Sequence, residues 1–373
     1  MRMRSIATTF VFGFIVACGG AADEQPPVQP PPPPAPAPAP VDTTPAPVAT
    51  TPPPAPKPAL ADLEAAAIAS MVANANDSSK IAALYAPDAV EWTVGLPEAQ
   101  GREAIQKGYQ SLLDNNTGFQ AANVRTWTKG NQVVVHWIAT ASDKATGKPW
   151  GLDGLSVYTF NDDGLITKDH TYLDFVTMMK QTGAYKDDRP FRPIAVLPTG
   201  AAEAHVSKGD ANEDKNVANL NALNAAWLKS DDATQLGFLS DDYASNSFAG
   251  WEPKDKKWVK DNLAIGKKSF KDRGWKDLTV LGVEDFTIDE GESTMTQIGD
   301  FVHGKVKIPN KHKTVTTHGV SIHQWKDGKI VKAWGWSNGQ ELDAQLGIRT
   351  AAPKPAAKGK TADAKVTTKA PTK

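Results

Sequence analysis

Apolar residues recur at helical spacing at the start of each half of the chain and then in long extended runs. In the first half, Leu60, Leu63, Ile68 and Met71-Val72 predict one helix. Ile81, Leu84 and Tyr85 predict a second, stopped by Pro87. Gly101-Arg102-Glu103-Ala104-Ile105 opens a third, with Ile105, Tyr109 and Leu112-Leu113 along one side. Runs rich in Val, Trp, Ile and Thr follow: Val124 to Thr128, Gln132 to Ser142 and Gly151 to Phe160. Asp162-Asp163-Gly164 then turns the chain into a last strand ending near Phe175.

The second half repeats the order. Val217, Leu220, Leu223 and Trp227 give a helical stripe, Leu236 to Leu239 parallels Leu84-Tyr85, and Trp258 to Phe270 is the third helix. Leu278 to Ile288, Ser293 to Lys307, Thr314 to Trp325 and Lys329 to Ser337 read as strands. Helices followed by a meander of strands, written twice, is an α+β plan. At roughly 100–200 residues per domain, two domains are expected. We divide them as residues 60–190 and 216–349, joined by a small, polar, unpatterned linker over 191–215.

The ends carry a different pattern. Arg2 and Arg4 precede an apolar run from Ile6 to Ala17, too short to span a bilayer comfortably, and then Cys18-Gly19. Residues 1–18 resemble a bacterial lipoprotein signal, with Cys18 as the lipidated residue that anchors the protein in the membrane. With Gly19 rather than Asp after the Cys, the resemblance implies the cell envelope, at the outer membrane of a Gram-negative bacterium. Residues 19–59 are dominated by Pro and Ala and form a tether, extended at ~3.1 Å per residue. Residues 350–373 are a Lys-rich tail without apolar periodicity. Cys18 is the one cysteine, so the two domains contain neither a disulfide nor a Cys metal site. Net charge is −1, and no folded stretch carries the dense basic face that nucleic acid requires.

LYAPDAVEWTVGLPEAQGREAIQKGYQSLL, followed by VYTFNDDGLITKDHTYLDF, resembles the SnoaL-like branch of the NTF2-like superfamily. The likeness covers nearly all of Ala61 to Phe175. Residues 216–347 share the plan more than the letters: KDGKIVKAWGW is their nearest piece, and the GREAI box is missing. The resemblance implies two cones, each a curved antiparallel sheet wrapped round helices with an apolar pocket between. Such cones often dimerise through the outer sheet face, and two copies in one chain leave an internal pseudo-dimer as the alternative. The family includes cyclases, dehydratases, hydrolases and isomerases, along with members of no known reaction, so fold alone does not give function.

The last strand of the first half has two rows, since residues two apart share a face. Ile166, Lys168, His170, Tyr172 and Asp174 form one; Leu165, Thr167, Asp169, Thr171 and Leu173 form the other. Both are mixed, so periodicity does not say which faces the pocket. By the resemblance the row with His170, Tyr172 and Asp174 looks inward. Asp153, on the preceding strand, falls opposite Tyr172 or Asp174. These four are the candidate acid–base residues, because an ionisable group inside an apolar cone has its pKa moved by desolvation and by its neighbours. Trp92, Tyr109, Trp127 and Trp137 are candidate pocket walls. In the second half the matching row holds Trp334, Trp336 and Asn338, which cannot exchange protons at neutral pH.

His303, His312, His318 and His323 stand close in sequence, but without Asp or Glu at ligand spacing, so no metal is expected. No cofactor motif is present either. The absence of a complete catalytic constellation favours binding over catalysis. The leading expectation is an envelope protein whose first cone binds a small apolar or amphipathic molecule. An interaction protein of the envelope or cell wall comes next, then a cyclase-, hydrolase- or isomerase-type enzyme using general acid–base chemistry in the first cone.

Overall fold

Aspartates start most of the helices. Asp77, Asp174, Asp210, Asp231 and Asp255 each accept a backbone N–H from the first turn of the helix that follows. In the first half the elements are α1 (Leu60–Ala73), α2 (Ser78–Ala82), β1 (Tyr85–Thr93), β2 (Ala99–Gln100), α3 (Arg102–Asn115), β3 (Asn116–Lys129), β4 (Gln132–Asp143), β5 (Pro149–Phe160), β6 (Ile166–Tyr172) and α4 (Phe175–Thr182). A short strand β7 (Glu203–Val206) follows. The second half has α5 (Ala211–Leu228), α6 (Asp232–Gly237), β8 (Leu239–Ser245), α7 (Lys256–Ser269), β9 (Phe270–Val283), β10 (Phe286–Gln297), β11 (Phe301–His303), β12 (Val306–Ile308), β13 (Thr314–Lys326), β14 (Lys329–Ser337) and α8 (Gly339–Leu346).

The computed structural model describes residues 58–186, 191–245, 253–303, 306–337 and 339–347, all within one unit spanning Pro56–Lys373. Cys18, the tether up to residue 57, the Lys-rich tail and Asn338 lie outside the described residues. Among the described residues, no helix is long and apolar enough to cross a membrane.

The expected α+β plan is present in each half, with curved sheets that are mixed rather than purely antiparallel. The first sheet runs β2-β1-β6-β5-β4-β3-β7, with β1 parallel to β6 and β7 parallel to β3. The second runs β8-β14-β13-β10-β9, with β8 parallel to β14. Several boundaries differ from the sequence reading. The expected helix through Tyr85 ends at Ala82, and Tyr85 instead begins β1, where Pro87 lies exposed in the strand. β3 starts eight residues before Val124, at Asn116, directly from the end of α3. The first long hairpin of the second half turns at Glu284-Asp285, not after Ile288. β7 forms inside the stretch read as linker, because its backbone completes the open edge of β3.

Helices cover one face of each sheet. In the first half Ala67 and Ile68 of α1, Ile81 of α2 and Ile105 of α3 pack on Val133, Val135, Tyr158 and Phe160. In the second half Leu220 of α5 packs with Leu239, Tyr243, Trp325 and Ile330. The other faces meet each other. Val134, Leu155, Val157 and Tyr172 from the first sheet share one core with Leu281, Val283, Ile288, Val320, Ile322 and Trp336 from the second. Strands buried on both faces read as continuous apolar runs, which is why Val133-Val134-Val135 stands unbroken in β4.

Candidate functional site

Strand alternation gives β6 two rows that face different cores. His170 and Tyr172 point to the seam between the sheets. His170 Nδ1 lies 2.6 Å from Glu290 Oε1 of β10, and the Tyr172 hydroxyl donates to the same oxygen at 2.9 Å. Glu290 is fully buried. Burial works to raise its pKa, but the His170 hydrogen bond and charge, with Thr279 and Tyr172, hold it below the ordinary value. Trp92 closes this network, edge-on to His170 at 5.2 Å and to His318 of β13 at 4.7 Å.

Asp169 and Thr171, between them, point the other way, into the helix-covered core. Asp169 is 1 % exposed. The Tyr85 hydroxyl donates to its Oδ2 at 2.7 Å, and Thr171 donates to its Oδ1 at 3.0 Å. Thr171 shares a hydrogen bond of 2.6 Å with Ser156, and Trp137 Nε1 donates to Ser156 at 3.0 Å. A hydrogen-bonded chain therefore runs from indole to carboxyl across β4, β5 and β6. Trp137 reaches it because Gly154 stands opposite: a Cβ there would lie 2.2 Å from the Trp137 ring. Glu91 of β1 pairs in register with Asp169.

Burial, then repulsion from Glu91, raises the Asp169 pKa to about 7, against the lowering by Tyr85 and Thr171. Glu91 is itself raised by burial. Tyr109 and Tyr158 stand near enough to Asp169 for its charge to raise their hydroxyl pKa values, behind burial as the larger cause. This arrangement sets a carboxyl inside an apolar core, where it can hold or release a proton near neutral pH.

The expected quartet does not converge. His170 and Tyr172 lie in the seam, on the face opposite the one expected, because that row must pack against the second sheet. Asp174 caps α4, accepting from Val176 N at 3.0 Å and Thr177 Oγ1 at 2.7 Å. Asp153 is paired with the Arg192 guanidinium and accepts from Trp336 Nε1 at 3.1 Å. Burial works against its ionisation, but His136 and Arg192 hold its pKa well below the ordinary value. Asp153 and Asp174 do share one crevice in the seam with Arg192 and Trp336, of about 20 Å³. That is room for about one water.

Of the expected walls, Tyr109 and Trp137 border the inner core, whereas Trp92 and Trp127 belong to the seam. Sequence reasoning missed Asp169, Glu91 and Tyr85. The signal was present in the Val133-Val134-Val135 run, which says that both faces of the sheet are buried and neither row can be assumed to be the solvent row.

A family model described as a SnoaL-like domain matches residues 66–168. The first half carries a SnoaL-like domain. No curated protein matches the chain. Among solved structures, AclR of Streptomyces galilaeus, a provisionally assigned hydroxylase, is 22 % identical over 37 % of this chain and 98 % of its own, with a TM-score of 0.34. A provisionally assigned polyketide cyclase of Xanthomonas campestris is 19 % identical over 36 % of this chain and 99 % of its own, TM-score 0.33. A LEH-like epoxide hydrolase of M. tuberculosis is 18 % identical over 32 % and 90 %, TM-score 0.29. Likenesses of this size bear on neither reaction nor ligand.

Within the SnoaL-like domain the match ends at Lys168, one residue before Asp169. A hollow of about 410 Å³ lies outside the polar chain, bounded by Pro87, Gln100, Gly101, Arg102 and Glu103. Arg102, on its wall, donates from Nε to the Tyr85 carbonyl at 2.8 Å. It thus fixes the start of α3 to the start of β1, the strand that carries Tyr85 and Glu91.

Proposed function

We propose that the SnoaL-like domain binds a small, largely apolar molecule bearing one polar group, with Asp169 and Tyr85 as the polar anchor. The observation that carries this reading is the Asp169 carboxyl: buried among aromatic rings, bonded by Tyr85 and Thr171, and raised to about 7. A carboxyl that keeps its proton up to about pH 7 inside an apolar core is a hydrogen-bond donor as well as an acceptor. That suits a carbonyl or hydroxyl better than an ion.

The raised value also favours a second reading, a cyclase- or isomerase-type proton transfer on the same ligand, with Asp169 as the acid or base. One experiment separates the two. An aromatic polyketide-like ketone is titrated against wild type and Asp169→Asn while the ketone's spectrum is followed. Binding without spectral change supports the module. Turnover lost in Asp169→Asn supports the enzyme. No saturable binding by either protein overturns both.

The element order of the second half supports a second cone of the same kind. We infer from the sequence that Cys18 is lipidated and tethers both cones to the outer membrane. Radiolabelled palmitate incorporated by wild type but not by Cys18→Ser would support this; label in both, or in neither, would overturn it.

A further inference from the structure

The two halves differ at one end of their sheets. In the first half, residues 144–148 alone join β4 to β5. The matching connection between β10 and β13 runs over 298–313 and carries the extra hairpin β11–β12. That is longer than a hairpin turn requires. Hydrogen bonds tie it to the end of α7 and the start of β9. Ile298 N donates to the Ser269 carbonyl at 2.8 Å, and Ser269 Oγ donates to the Asp300 carbonyl at 2.9 Å. Lys311 N donates to Gln297 Oε1 at 2.8 Å. Phe301 and Ile308, paired across the hairpin, pack inward with Phe270, Val315 and Leu346.

The outer side of this end is both apolar and basic. Ile298 and Val302 are 41 % and 47 % exposed, and Ile265 of α7 is 38 % exposed. Lys268, three residues after Ile265, shares its helix face. Lys307 stands beside Val302 in the hairpin register. Lys267, Lys271 and Lys307 are paired with Asp232, Asp272 and Asp300, so their charges are balanced. Lys268 and Lys311, both exposed, have no ion pair among the described residues. Exposed Lys313 donates to the uncharged Gln345 carbonyl at 2.9 Å. Three positive charges are thus left uncompensated round three exposed aliphatic side chains. Residues 350–373, which follow α8, are Lys-rich and add to the same sign.

We propose that this end of the second half docks on an anionic lipid bilayer. Ile265, Ile298 and Val302 enter the boundary between headgroups and acyl chains, and Lys268, Lys311 and Lys313 meet the lipid phosphates. Single exposed aliphatic residues need no explanation, and lysines alone suit any polyanion. Their mixture on one face selects a bilayer, the partner that is anionic outside and apolar just beneath. Lysine stems lie along apolar surface while their ammonium groups stay at the charged layer. A soluble polyanion would engage the lysines and leave the aliphatic tips in water. The contact is separate from any anchor at Cys18, and it sets which end of the second half faces the membrane.

Sedimentation of the full chain with vesicles tests this, comparing pure phosphatidylcholine with an equal mixture of phosphatidylcholine and phosphatidylglycerol. The apolar run at 6–17 is common to every variant, so the readout is the difference between lipids and between variants. Tighter binding to the anionic vesicles is expected, weakening as salt is added. Lys268→Gln with Lys311→Gln should weaken it at least tenfold, since each lysine at an anionic surface is worth roughly fivefold. Ile298→Ser with Val302→Ser should also weaken it, at least fivefold, while leaving retention on a heparin column unchanged. All four side chains are exposed, so both pairs should keep the wild-type urea midpoint. Equal binding to the two vesicle types would overturn the proposal. So would wild-type binding by the glutamine pair, which would assign the affinity to the tail. Wild-type vesicle binding by the serine pair would overturn it too, by showing a general polyanion surface.

Discussion

The two halves place their buried acids on different strands of the same plan. In the first, the inner carboxyls come from the paired strands β1 and β6, as Glu91 and Asp169. In the second, the inner acid comes from β10, as Asp289, with His323 beside it on β13. The last hairpins, which look like an active and an emptied version of one motif, differ for another reason. His170 and Tyr172 on one side, and Trp334 and Trp336 on the other, all serve the seam. Trp336 is in the shared core, Trp334 packs against it, and His170 and Tyr172 are held by Glu290 from across it. A change from His and Tyr to Trp in this row therefore reports which residues a sheet shows to its neighbour, not the loss of a reaction.

The strongest test of that distinction is Glu290→Ala. Removing the acceptor leaves Tyr172 and His170 buried without it, and breaking a buried pair costs roughly 3–5 kcal/mol. Urea unfolding at pH 7 should show the loss, while ligand binding in the first half should persist if the protein remains folded. Loss of binding without loss of stability would place Glu290 in the site and break the comparison.

Next comes the pH dependence set by Asp169. Its folded value, about 7, lies above the ordinary 3.8. The folded protein thus holds a proton that the unfolded chain has released, and this support, present at low pH, is lost as the pH rises toward 7. Between pH 5 and 8, Asp169→Asn should flatten the fall in stability by up to on the order of 3 kcal/mol. Parallel unfolding curves for wild type and variant at both pH values would show instead that Asp169 is not shifted.

The glycines under the tryptophans give a smaller, paired effect. Gly154→Ala drives a methyl into the Trp137 ring in a strand buried on both faces, and overpacking of this kind costs roughly 1–3 kcal/mol. Gly291→Ala should cost less, because Trp275 keeps some exposure and has room to move. Equal losses in Tm would mean that the second Trp is as firmly clamped as the first.

Asp174→Ala should cost about 1 kcal/mol, the ordinary loss of a helix cap, and leave binding unchanged. Smallest of all, Lys257→Ala removes an exposed, solvent-screened pair with Asp261 and should leave the urea midpoint at the wild-type value.

Much of the architecture was legible in the chain. The stripes at Ile68, Ile105 and Leu220, the Asp-Gly turn at Asp163-Gly164 and the repeated order gave the elements, the α+β class and the two halves. Local rules suffice there, because helix period, strand alternation and turn chemistry depend on near neighbours. Tyr85 shows their limit: its apolar spacing continues that of Ile81, but its hydroxyl is needed beneath Asp169, so the chain is extended there. The facing of β6 was not legible. Its two rows are equally mixed, and a strand carries no mark of which side its partner will cover. What decided it was the second sheet, which buries Val134, Val157 and Tyr172 and supplies Glu290, a residue 120 positions from His170. The sequence by itself determined which residues could alternate; only the packing of one sheet on the other determined that His170 looks to the seam and Asp169 to the helix-covered core.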